Sequence, residues 1–171
     1  FSEPAGATDH SLVVRDFGLR LAADVAAPAP LVMIGGRYWL TDRFGIDPAI
    51  GFRVQKTEDV PMQFNIGLGI GVPILISQFK HICFYIEPAL DFEFWHAPEK
   101  NNQWAIGLQG LFVGELSFGW IGVPRLAMTA GLGLALRVFN NGSVNDFTLG
   151  TATAGVLGNL LTANAGVIYY F

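Results

Sequence analysis

ICFYIEPALDFEF, residues 82–94, reads differently on its two parities. Ile82, Phe84, Ile86, Leu90, Phe92 and Phe94 fall on one side, and Cys83, Tyr85, Glu87, Asp91 and Glu93 on the other. A repeat of two is the signature of an extended strand whose faces meet different surroundings. The question is which face meets solvent, and what that solvent is.

The same alternation recurs on both sides of this stretch. FGIDPAIGFRV (44–54) sets Phe44, Ile46, Ile50 and Phe52 against Asp47 and Arg53. MQFNIGLGIGV (62–72) sets Phe64, Ile66, Leu68 and Ile70 against Asn65 and three glycines. WAIGLQGLFVGELSF (104–118) and RLAMTAGLGLALRV (125–138) carry Gln109 and Glu115, then Arg125, Thr129 and Arg137, on the minority face. SLVVRDFGLRLAAD (11–24) and LVMIGGRYWLT (31–41) are weaker, with Arg20, Asp24 and Arg37 on the polar parity. ANAGVIYYF (163–171) repeats the pattern, with Phe171, Tyr169 and Val167 on the apolar side. FTLGTATAGV (147–156) also alternates, and is expected to be a loop or an extension of the last hairpin. Eight strands then remain, joined by short turns near 41–43, 77–81 and 119–124 and by longer segments at the other end. That order predicts an all-β, eight-stranded, antiparallel up-and-down barrel forming one domain over 1–171, with 1–10 a flexible N-terminal segment. Pro48 and Pro88 cannot donate to a ladder, so local bulges are expected there.

Composition identifies the solvent. Hydrophobic residues make up 51% and charged residues only 14%, with 21 glycines and 14 phenylalanines, and mean hydropathy is +0.42. Soluble domains carry about 25% charged residues. No apolar run approaches the roughly 18 residues of a spanning helix. On a soluble barrel the polar face would be water-exposed and rich in Lys, Glu, Ser and Thr. Here it is mostly Gly and Ala with isolated charges, and all three lysines (Lys56, Lys80, Lys100) fall in connections. Arginine suits buried carboxylate pairing, whereas lysine needs hydration. The small, sparsely charged face therefore lines a narrow lumen, and the Phe, Leu and Ile face meets lipid, where every strand must be paired and the sheet closed. Phe44, Phe84, Phe118, Trp120, Tyr169 and Phe171 gather at the tight-turn ends, and Phe52, Phe64, Phe94 and Trp104 at the other, as two interfacial girdles. ANAGVIYYF is expected to be the strand that closes the barrel against strand one, ending at a membrane interface.

In the lumen, Arg20, Arg37, Arg53, Arg125 and Arg137 are expected to pair with Asp47, Glu87, Asp91, Glu93 and Glu115 across the barrel, blocking continuous water. No catalytic, cofactor or metal site is expected. His96, Ser143 and Asp146 have no motif spacing for acyl transfer, the Asp91/Glu93 pair reads as salt-bridging, and His81 with the single Cys83 is too little for a metal. A net charge of −4 gives no footprint for nucleic acid.

The terminal Phe171 with Tyr169, Val167 and Ala165 in step, and GGRYWLTDRFGIDPAIGF (35–52) with its Tyr-x-x-Thr-Asp turn, resemble the small eight-stranded outer-membrane barrels of Gram-negative bacteria, the OmpA, OmpX and OmpW-like group. The resemblance implies an integral outer-membrane protein with its C-terminus on the periplasmic side and outer-membrane lipids around it. It also implies that residues 163–171, with Val167, Tyr169 and Phe171 as their aromatic and apolar signal, are read by the barrel assembly machinery. A structural, surface or envelope-assembly role, with other envelope proteins as partners, is the expected function. A small channel for ions or hydrophobic solutes is the alternative, and a lipid-modifying enzyme ranks last.

Overall fold

The computed structural model describes residues 8–24, 32–57, 60–96, 102–140, 145–149 and 162–171. A short helix, α1 (Asp9–Val13), precedes ten strands. These are β1 (Phe17–Asp24), β2 (Val32–Trp39), β3 (Gly45–Thr57), β4 (Val60–Gly71), β5 (Ile74–Gln78), β6 (Ile82–His96), β7 (Gln103–Phe118), β8 (Val123–Asn140), β9 (Asn145–Leu149) and β10 (Thr162–Tyr170).

The ten strands occupy eight wall positions. β5 continues β4 along β6 in the same register, with Gly71 facing Ala89 and Ile74 facing Ile86. Pro73 separates the two, and its carbonyl accepts from the Gly45 N–H at 3.0 Å. β9 and β10 likewise share one edge of β8, opposite Leu136–Asn140 and Leu126–Gly133 respectively. β9 is thus an upward extension of the last hairpin, as expected for 147–156, although residues 150–156 lie outside the described residues. β10 pairs with both β8 and β1, which closes the sheet into an antiparallel barrel.

Register fixes the slant of the wall. Walking across the ladders from Arg20 leads through Gly35, Ala49, Gly69, Asp91 and Gly107 to Arg137. Walking the other way leads through Ile168 to Ala127, ten residues away on the same strand. That stagger on eight strands tilts them by about 40° and leaves an interior that side chains can fill.

The barrel is apolar outside and polar inside. Leu19, Ile50, Leu90, Leu108 and Leu132 are each about half exposed on the outer face, as are most large aliphatics of the wall. Arg37, Asp47, Glu87 and Glu115 are buried inside. A wall of this polarity has its favourable surroundings in hydrocarbon rather than water.

Three sequence expectations change. Pro48 and Pro88 sit in unshifted register, opposite Ile70 and Gly110. Pro88 lies across from the Val72–Pro73 break, where only its carbonyl is needed, accepting from Val72 N–H at 2.9 Å. The register shifts fall instead at Gln55/Thr57, Leu75/Ser77 and Ser117/Phe118. The stretch 11–16, read as the start of strand one, belongs to α1 and the turn after it. Thr8 caps this helix by accepting from Ser11 N–H at 3.2 Å. Arg15, at φ 69°, turns the chain into β1 and donates its N–H to the Trp39 carbonyl at 3.0 Å. Asp9 and His10, placed by sequence in a flexible segment, are buried. Residues 1–7 lie outside the described residues.

Candidate functional site

The inward residues at mid-barrel form a single cluster around Arg37. This residue is on the inner parity of β2, and its side chain is fully buried. Its Nη1 donates to Glu115 Oε2 at 2.8 Å and to the Tyr85 hydroxyl. Its Nε donates to Asp47 Oδ2 at 3.0 Å, and Nη2 reaches the same oxygen and Glu87 Oε2 at 3.2 Å. Arg20 on β1 donates to Asp47 Oδ2 and, at 3.3 Å, to Glu87 Oε1. Two guanidinium groups thus hold three carboxylates contributed by β3, β6 and β7. The planar fork of arginine makes such sharing possible, as a lysine ammonium could not.

Neutral side chains complete the cluster. Tyr170 O–H donates to Glu115 Oε1 at 3.2 Å, and Trp39 Nε1 donates to the Tyr170 oxygen at 3.3 Å. The Tyr85 ring lies 4.7 Å below the Arg37 guanidinium carbon. Val13, Trp39, Cys83, Leu111, Val113 and Ile168 pack around these groups as an apolar core inside the lumen. Space for the carboxylates comes from glycine on the facing strand, since a Cβ at Gly71 would run into the Glu87 carboxylate.

Below the cluster, α1 lies across the tight-turn end. Asp9 N–H donates to the Lys80 carbonyl at 2.9 Å, and Asp9 Oδ2 pairs with His81 Nδ1 at 2.8 Å. His10 Nε2 meets the Asp42 carbonyl at 3.0 Å, and its ring stands edge-on to Trp39 at 4.5 Å. Burial lowers the His10 pKa below the ordinary imidazole value, with the Asp42 carbonyl partly opposing the shift. α1 is therefore tied to the β2–β3 and β5–β6 turns. Above the cluster, toward the looser ends, the lumen holds a cavity of about 130 Å³ with Arg20, Asp47 and Glu87 at one end.

Of the residues singled out by sequence, Arg20, Arg37, Asp47, Glu87 and Glu115 come together. Arg137 and Glu93 form a separate pair at 2.7 Å nearer the looser ends, with Arg137 over the Trp95 ring. Asp91 accepts from Gln109 Nε2 at 2.6 Å rather than from an arginine among the described residues. Arg125 keeps the inward parity but lies at the end of β8, half exposed, and pairs with Asp16 at 3.1 Å. Its strand has left the lumen by that point, which is why it does not meet Glu115. The Arg53 side chain lies outside the described residues. Val167, Tyr169 and Phe171 line up on the outer face of the last strand, and the Tyr169 and Phe171 rings touch edge-on at 5.2 Å. Sequence reading did not assign Tyr85, Tyr170 and Trp39 to the cluster. All three share the inward parity of their strands, and that parity was the available signal. Among the described residues no group of three or more His, Cys, Asp or Glu side chains is placed to hold a metal ion.

No protein-family model matches the sequence, and no curated protein matches it. Solved structures do resemble it. The N-terminal β-barrel domain of Pseudomonas aeruginosa OprF superposes with a TM-score of 0.57 at 12% identity, covering 92% of this chain and 98% of that one. Neisserial surface protein A (NspA) superposes with a TM-score of 0.52 at 14% identity, covering 91% and 94%. Identities this low carry the architecture and not the activity. The chain has the fold of the small eight-stranded barrels of bacterial outer membranes.

Proposed function

We propose that this protein is an integral outer-membrane barrel with a structural, surface or envelope-assembly role, whose lumen is closed rather than conducting. The observation that carries this reading is Arg37, fully buried at mid-lumen and bonded to side chains from β3, β6 and β7. A water path would have to cross that residue, its partners and the apolar core packed around them. α1 adds a second obstruction at the tight-turn end. Short turns lie on the periplasmic side in barrels of this kind, so the reading places α1 and the C-terminus there. The outward row Val167, Tyr169 and Phe171 is the segment the barrel assembly machinery would read, and outer-membrane lipids would contact the outer aliphatics.

The test is conductance of the purified protein in planar bilayers. No steady single-channel openings are expected at moderate voltage. Reproducible openings of the wild-type protein would overturn the closed-barrel reading in favour of a small channel.

A further inference from the structure

Three tight turns carry large apolar side chains at their tips. Leu40 opens the β2–β3 turn, Phe79 the β5–β6 turn, and Trp120 with Ile121 forms the β7–β8 turn. Each of the four is between 48% and 61% exposed. Turns that face water are normally built from Gly, Pro, Asn, Asp and Ser. These side chains are not isolated either. The Phe79 ring meets Phe84 edge-on at 6.4 Å, and Trp120 lies 6.4 Å from Phe118. Phe84 and Phe118 are on the outward parity of β6 and β7, so the apolar outer face continues past the strand ends onto the turns.

The accessible charge beside these tips is mostly of one sign. Arg15, Arg43 and Lys80 are exposed, and none has an ion pair among the described residues. The carboxylates at this end are largely engaged: Asp9 is buried against His81, and Asp16 pairs with Arg125. Asp42 is exposed, and Glu3 is the one charged residue within 1–7, which leaves the cations in excess. Consecutive residues of α1 bond two of the turns, Asp9 N–H to the Lys80 carbonyl and His10 Nε2 to the Asp42 carbonyl. Arg43 and Lys80 therefore stand on neighbouring turns, each with an apolar tip beside it. A cation next to an apolar side chain suits the headgroup layer, where the apolar body lies at the acyl boundary and the charge reaches phosphate. A soluble partner would have to cover rings that merge with a wall already in lipid. We propose that the tight-turn end is a docking surface for the anionic phospholipid headgroups of the leaflet on that side. Leu40, Phe79 and Trp120 sit at the acyl boundary, and Arg43 and Lys80 bond the phosphates. This rests on the membrane reading above and is the same for a closed or a conducting lumen.

The experiment places the full chain in phosphatidylcholine nanodiscs and replaces part of that lipid with phosphatidylglycerol. The Arg43 and Lys80 amide resonances should shift saturably with the phosphatidylglycerol fraction, while Leu68 and Leu108 at mid-wall stay in place. Lys80→Gln should raise the fraction needed for half the shift about fivefold. Soluble glycerol phosphate, added to discs of phosphatidylcholine alone, should move neither amide. A lipid nitroxide just below the headgroup should broaden the Trp120 indole N–H, and a soluble gadolinium chelate should not. Failure to enter phosphatidylcholine discs at all would overturn the membrane reading and this proposal with it. Entry without a phosphatidylglycerol response, an equal response to glycerol phosphate, or an unchanged response in Lys80→Gln would overturn this proposal alone. So would a Trp120 indole that the chelate reaches, which would leave the turns in water and open to a soluble partner.

Discussion

Arg37 and Glu115 lie 78 residues apart in the chain and meet at 2.8 Å with both side chains out of contact with solvent. Neither can lose the other cheaply, because the remaining charge would stay buried. Glu115→Ala should lower unfolding free energy by about 3 kcal/mol, read from urea unfolding of the refolded barrel in detergent. Arg125→Ala is the contrast. Its pair with Asp16 is half exposed, so the same experiment should register at most about 1 kcal/mol. Equal losses in the two variants would mean that burial does not set the cost.

Gly119 touches the Asp9 carboxylate so closely that a Cβ there would occupy the same space. Gly119→Ala should therefore push α1 off the turns while leaving the wall intact. Amide exchange is the measurement, since the Asp9 N–H bonds Lys80 and the Arg15 N–H bonds Trp39. Both should lose protection by roughly tenfold or more, with strand amides unchanged. Unaltered protection at Asp9 would show that α1 tolerates the side chain.

Docking of α1 should also depend on pH. Burial holds His10 below the ordinary imidazole pKa, so the docked helix carries it neutral where the free helix would take up a proton. Above about pH 6.5 both states are neutral and docking is strongest; it weakens as pH falls from there toward the lowered value. Glu115, Arg37 and Asp42 are the charged groups that act on this ring. Protection of the Asp9 and Arg15 amides should fall between pH 7 and pH 5, and His10→Phe should flatten that dependence. A dependence of unchanged size in His10→Phe would assign it to another group.

Phe171 sits on the outer face, 61% exposed, in contact with Tyr169. It adds nothing to the lumenal core. Deleting it should reduce the amount inserted in cells several-fold while protein refolded in vitro keeps its β-structure, with a change in unfolding free energy of at most about 1 kcal/mol. An unchanged cellular yield would remove the case for an assembly signal in this strand.

The wall was readable because a period of two is a local property: each of 82–94, 104–118 and 125–138 declares its lipid face without reference to any other strand. The closed count of eight followed from turn spacing. α1 was hidden because Ser11 to Val14 can be read equally as alternating strand, and the Thr8 cap decides for helix only once Val13 has a mouth to fill. The partners of the lumenal charges were only half readable. Parity puts Arg37, Glu115 and Arg125 on one face, but their heights depend on the ten-residue stagger, which sequence does not display. That stagger sets Arg37 beside Glu115 and leaves Arg125 at the rim with Asp16. The same limit applied to Pro48 and Pro88, whose missing donors matter only relative to what stands opposite.

Cys83 offers a direct probe of lumen closure. It is the only cysteine in the chain, 3% exposed, on the inner face opposite Glu115 and packed in the core with Tyr85 and Trp39. Any continuous water path through the barrel would have to pass it. The measurement is the rate at which a small water-soluble methanethiosulfonate labels Cys83 in barrels folded into lipid vesicles. A closed lumen should leave the thiol unlabelled over a period in which urea-unfolded protein reacts completely, and labelling of the folded barrel within about tenfold of the unfolded rate would contradict it.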